Sequence, residues 1–143
     1  MAIVESGLII NCVPLIRSEY YHSENDIDPF MKTNLFSVVQ SFASQAFKDE
    51  VKEIQLKNHQ VLIKVLRPSD VEQLLFYLIV EKGTDIPEVQ TRISNILKKI
   101  NFNEIIFDSP VMTAELKQVK EIIDEELADM VRGPAERAKI IFG

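Results

Sequence analysis

Residues 73–82 read QLLFYLIVEK, with an unbroken apolar run from Leu74 to Val80. The run is far shorter than the ~18 residues of a membrane span, and it shows no polar alternation. A strand has this composition when both of its faces are covered, which predicts a central position in a sheet with helices on each side. Just upstream, VKEIQLK (51–57) and QVLIKVLR (60–67) read as two further strands joined at Asn58-His59. Ile54 and Leu56 share a face of the first, whose Lys52, Glu53 and Lys57 suit a guarded sheet edge. Val61, Ile63 and Val65 face one way in the second. With 73–82 these segments form a meander.

At the N-terminus, residues 2–10 and 13–21 are expected to form a hairpin around Asn11-Cys12, since Asn tolerates positive φ. Pro14 lacks a ladder donor and places the second arm at an edge. Gly7, alone in a strand, suggests close backbone approach of a helix. The spatial order that satisfies these constraints is 2-1-5-4-3.

Three helices complete the pattern. Asp28 and Pro29 have the chemistry of a cap and first helical position. From Phe30 to Phe47 the apolar residues cover about half the helical circumference, wider than a single stripe. Leu35, Val38, Val39, Phe42 and Ala46 form the centre of that face and are expected on the sheet, with Phe36, Ala43 and Phe47 as its flank. A second helix, about 86–100, is introduced by Asp85 and Glu88 at capping-box spacing and buries Val89, Ile93, Ile96, Leu97 and Ile100. Ser109-Pro110 starts or precedes a third, running to about Val131, with a stripe of Leu116, Val119, Ile123, Leu127 and Met130 and with Ile122 beside it. Gly133-Pro134 stops it. The fold class expected is α/β (α+β): a five-stranded antiparallel sheet with one helix on one face and two on the other. It forms one domain over residues 1–132, followed by a tail, 133–143, ending in the apolar Ile140, Ile141 and Phe142.

Composition excludes more than it specifies. Of 143 residues, 46% are hydrophobic and 27% charged, an ordinary folded composition. A net charge of −6 disfavours a broad phosphate-binding surface, hence nucleic acid. The acid run Glu121, Asp124, Glu125, Glu126 and Asp129 reads as a solvated helix face. One cysteine, Cys12, allows no intramolecular disulfide, and His22 and His59 lack partners at ligand spacing. Asp26 and Asp28 are explained by capping, and Arg17 and Arg67 by strand positions facing solvent. No catalytic residue, cofactor or metal site is expected, and the chain is not expected to be an enzyme. No signal-peptide pattern or membrane-spanning run occurs in these residues, which sets a cytoplasmic expectation without membrane insertion.

Taken together, NCVPLIRSEYY after a first strand, a helix ending SFASQAF, the strands EIQLK and QVLIKVLR, and the central LLFYLIVEK resemble the longin domain, a layered longin/profilin-like fold. The resemblance spans roughly residues 2–132 and points to the stand-alone, soluble kind encoded in archaea. Cys12-Val13-Pro14 departs from the Gly-hydrophobic-Pro turn of many longins. The resemblance implies a non-catalytic protein-interaction module, an adaptor or regulator of a small Ras-like GTPase in a vesicle-trafficking-like system. It also implies a partner groove along the first helix and third strand, bordered here by Phe36, Ala43, Phe47, Ile54 and Leu56. Ile140, Ile141 and Phe142 are further candidates for partner contact, including a homodimer. The alternatives are a homo-oligomeric structural or tethering subunit and a small-molecule sensor.

Overall fold

Backbone pairing follows the apolar pattern closely. In the computed structural model, which describes residues 3–10, 13–20, 29–66, 74–102 and 114–131, the strands are β1 (Ile3–Ile10), β2 (Val13–Glu19), β3 (Glu53–Gln55), β4 (His59–Leu66) and β5 (Leu74–Glu81). They form one sheet in the order β2-β1-β5-β4-β3, and every neighbouring pair is antiparallel. The helices are α1 (Pro29–Phe47), α2 (Ile86–Lys99) and α3 (Ala114–Val131). The fold is therefore the α+β arrangement expected. No helix of the described residues is long and apolar enough to cross a membrane.

β5 is buried from Leu74 to Val80. Its alternate residues serve two cores. Leu74, Phe76, Leu78 and Val80 pack with Val89, Ile93 and Ile96 of α2 and with Leu116, Val119, Ile123 and Leu127 of α3. Leu75, Tyr77 and Ile79 pack with Ile9, Val61, Ile63 and Phe36 of α1. Successive strand side chains point to opposite faces, so a strand feeding two cores has no residue to spare for polarity. Each such buried side chain contributes about 1.5–3 kcal/mol.

Both edges fall where expected, on Pro14-bearing β2 and on β3. The latter pairs over three residues only, Glu53–Gln55. β1 carries an irregularity: Ile3 pairs with Val80 and Glu5 with Ile79, leaving Val4 as an extra residue. Such a bulge re-aims the following side chains. It puts Ile3 in the core beneath α2 and α3, while Glu5, 1% exposed, stays on the side of Ile9 and Tyr77. Gly7 does sit under a close approach, but of a side chain, not a helix. It pairs with Tyr77 on β5, and a Cβ built there would lie 2.5 Å from Tyr77 Cε1.

The face of α1 is a correction. Among its described side chains Phe36, Ser37, Gln40 and Ala43 are buried, whereas Leu35, Val38, Phe42 and Ala46, expected on the sheet, are exposed and Val39 is half-buried. α1 ends with Lys48 at φ 55°, a left-handed cap whose N–H donates to the Ser44 carbonyl at 3.1 Å. For α2, Asp85 accepts from the Glu88 N–H at 3.3 Å, as a cap should, but the Glu88 carboxylate turns to Arg92 (3.0 Å) and leaves the reciprocal half of the box unmade. The described part of the third helix begins at Ala114. The Asn11-Cys12 turn, the Asp28 cap, Ser109-Pro110, Gly133-Pro134, His22, Asp26 and Arg67 lie outside the described residues.

Candidate functional site

Among the described residues, two polar clusters and one apolar surface stand out. The first cluster surrounds Glu5. Tyr77 donates its hydroxyl to Glu5 Oε2 at 2.7 Å, while Lys32 Nζ of α1 (3.1 Å) and Arg17 Nε of β2 (3.3 Å) donate to Oε1. Arg17 also reaches Glu19 at 3.1 Å. Phe36 stacks at a tilt on the Tyr77 ring, centroids 5.2 Å apart. Both carboxylate oxygens are thus occupied and out of contact with solvent, an arrangement that tethers α1 to β1 and β2 and leaves no free base. Arg17, expected to face solvent, is instead committed to this cluster.

Gln40 supplies a second tether. Its amide donates to the Val51 carbonyl at 2.6 Å and accepts from the Val51 N–H at 3.0 Å, pairing with that backbone as a strand neighbour would. Truncating it leaves two backbone groups without partners, each costing about 1–3 kcal/mol when buried. Gln40→Leu is expected to destabilise the protein by about 2 kcal/mol, measured by urea unfolding, with Ser41→Ala on the exposed side unchanged.

The second cluster links the β1–β2 pair to α3. Tyr20 donates to Asp124 Oδ1 at 2.6 Å and its hydroxyl lies 2.9 Å from Ser6 Oγ; Lys120 pairs with Asp124 at 3.0 Å. Nearby acids clasp α3 to α2: Arg92 reaches Asp129 (2.8 Å), and Glu126 accepts from Asn95 (3.0 Å) and Lys99 (2.9 Å). The hydrogen bond from Lys99, then that from Asn95, holds the Glu126 carboxyl below its ordinary range. The acid run is therefore only partly a solvated face.

Burial, and then the neighbouring carboxylates Glu5 and Asp124, push the hydroxyls of Tyr77 and Tyr20 well above the ordinary tyrosine range. A raised folded-state value means the stabilisation is complete below the unfolded value of about 10 and declines as pH rises beyond it. Far-ultraviolet circular dichroism and tyrosinate absorbance, followed together from neutral to strongly alkaline pH, are expected to show two of the three tyrosines ionising only as the fold is lost. Ionisation of all three before unfolding would contradict this.

Among the described residues no group of His, Cys, Asp and Glu could hold a metal ion. The remaining feature is the outer side of α1. Met31 (66% exposed), Leu35 (53%), Val38 (62%), Phe42 (65%) and Phe47 (72%) are large apolar side chains facing solvent, and Phe42 and Phe47 meet edge-on at 6.3 Å. Of the expected groove residues, Phe36 and Ala43 are buried under α1, so no docked partner reaches them while α1 holds its place. Ile54 is half-buried in the core beside Tyr77, whereas Phe47 and Leu56 are exposed. Ile140, Ile141 and Phe142 lie outside the described residues. Wheel analysis placed Leu35, Val38 and Phe42 on the sheet because an apolar residue is ordinarily assigned inward; the signal present was the excess width of the apolar arc. No family model matches this sequence, and no curated protein matches it.

Proposed function

We propose that this chain is a non-catalytic protein-interaction module of the longin type, serving as an adaptor or regulator of a small Ras-like GTPase. The observation that supports an interaction module is the outer side of α1. Its four exposed large apolar side chains, with Phe47 against Phe42 at the helix end, present on the order of 600 Å² of apolar surface, at the upper end of what a monomer leaves uncovered. Catalysis gains no comparable support, since the buried Glu5 has both oxygens taken. The GTPase as partner follows from the sequence resemblance, and exposed Phe47 and Leu56 are the groove residues open to it.

Titration calorimetry of the purified chain against small GTPases of the source organism, each loaded with GDP or a non-hydrolysable GTP analogue, tests this reading. Saturable binding to at least one GTPase is expected, weakened about tenfold or more by Leu56→Glu. Absence of binding to every GTPase in both nucleotide states removes the GTPase assignment.

A further inference from the structure

α1 is laid on the sheet with its more polar side inward. Ser37 and Gln40 are buried there beside Phe36 and Ala43, while Met31, Leu35, Val38 and Phe42 point away from the protein. A helix apolar on its outward side is stable when that side is also covered. The question is what covers it, and two properties of the stripe answer.

The first is spacing. Met31, Leu35, Val38 and Phe42 follow one another at intervals of four, three and four, the repeat of a helix–helix seam. The pattern reads the same in both directions, so it is complementary to itself. A two-fold axis level with Phe36 and Ser37 sets Met31 against Phe42 of the second copy, a favourable sulfur–aromatic pair, and Leu35 against Val38.

The second is charge. The molecule carries −6 overall, so two copies repel across most of their surface. Between Pro29 and Phe47 the only ionisable side chain is Lys32, and it is turned onto Glu5. An isologous contact sets the same patch against itself, so a net charge on it would face an equal charge; this face carries none to repel. The four seam residues expose on the order of 500 Å², and exposed Asn34, Ser41 and Gln45 beside them bring the contact towards the ~800 Å² per partner of a standard interface.

We infer that α1 packs antiparallel on α1 of a second copy of this chain, forming a two-fold dimer that leaves Leu56 and the β3 edge available to another partner. The inference rests on reading the outer side of α1 as a docking surface and names its occupant. Sedimentation equilibrium of the full chain over micromolar concentrations is expected to show a dimer. Leu35→Glu and Phe42→Glu, at exposed positions, are expected to keep the circular dichroism spectrum and to raise the dimer Kd by roughly a hundredfold. In a Cys12→Ser background, a mixture of Met31→Cys and Phe42→Cys chains is expected to form a disulfide-linked pair, whereas Met31→Cys alone is not.

A monomer at all concentrations, or a dimer indifferent to Leu35→Glu, overturns the inference; self-linking of Met31→Cys overturns the antiparallel geometry. A monomer that still binds a GTPase sinks the second copy and spares the proposed function. A dimer that binds none does the reverse.

Discussion

Replacing Gly7 with alanine is expected to destabilise the protein by about 2–4 kcal/mol. The new Cβ would lie 2.5 Å from Tyr77 Cε1 and 2.6 Å from Cζ and Oη, distances that require something to move. Three features make the ring expensive to displace. Tyr77 is 1% exposed, its hydroxyl is fixed on Glu5 at 2.7 Å, and Phe36 lies against it. The backbone is no easier to shift, because β1 is paired on both sides, to β2 and to β5. A cavity-making partner change separates this clash from a general loss of strand propensity. In Gly7→Ala with Tyr77→Leu the two losses are expected to be less than additive by at least about 1 kcal/mol. Equilibrium urea unfolding of the two single variants and the double variant measures the coupling. Strict additivity would mean that the ring does not feel the new methyl.

Glu5→Ala is expected to cost about 2–4 kcal/mol. Removing one member of a buried ion cluster leaves its partners uncompensated, and here three groups lose their acceptor at once. The Tyr77 hydroxyl suffers most, since it is enclosed; Lys32 and Arg17, whose side chains are 22% and 28% exposed, recover part of their hydration, which keeps the loss below the full buried-pair figure. Glu5→Gln preserves volume and one acceptor oxygen and is expected to lose about half as much. Lys32→Met, on the periphery, is expected to cost about 1 kcal/mol or less. The order Glu5→Ala, Glu5→Gln, Lys32→Met in urea midpoints is the result that supports a central carboxylate. Equal losses for the three would mean that Glu5 is held by packing alone.

What could be read from the sequence depended on whether apolar pattern decided the matter. β5 was legible because seven consecutive apolar residues leave no solvent face, and Pro14 and the charges near Ile54 were enough to set the edges. α1 was not legible in its orientation. When apolar residues fill half a helix, hydrophobicity cannot say which part faces the sheet. The decision falls to specific partners: Lys32 to Glu5, Gln40 to the Val51 backbone, Phe36 to the Tyr77 ring. Those partners are themselves hidden in the sequence. Glu5 is buried because β1 is covered on both faces, and nothing in IVESGLII distinguishes it from an exposed strand glutamate. The candidate surface failed for the same reason, since Phe36 and Ala43 were assigned to it by the same wheel that sent Leu35 and Phe42 to the core.

The place of β1 between β2 and β5 has a consequence for biosynthesis. Its inner neighbour ends at Glu81, so at about 5–20 residues per second the N-terminal hairpin, complete at Glu19, waits roughly 3–12 s before that strand is made. During this interval the greasy edge of the nascent hairpin is open to any other extended chain. A mutation that speeds local hairpin closure gains nothing here; one that slows the ribosome before codon 74 prolongs the vulnerable wait and raises the fraction lost to aggregation.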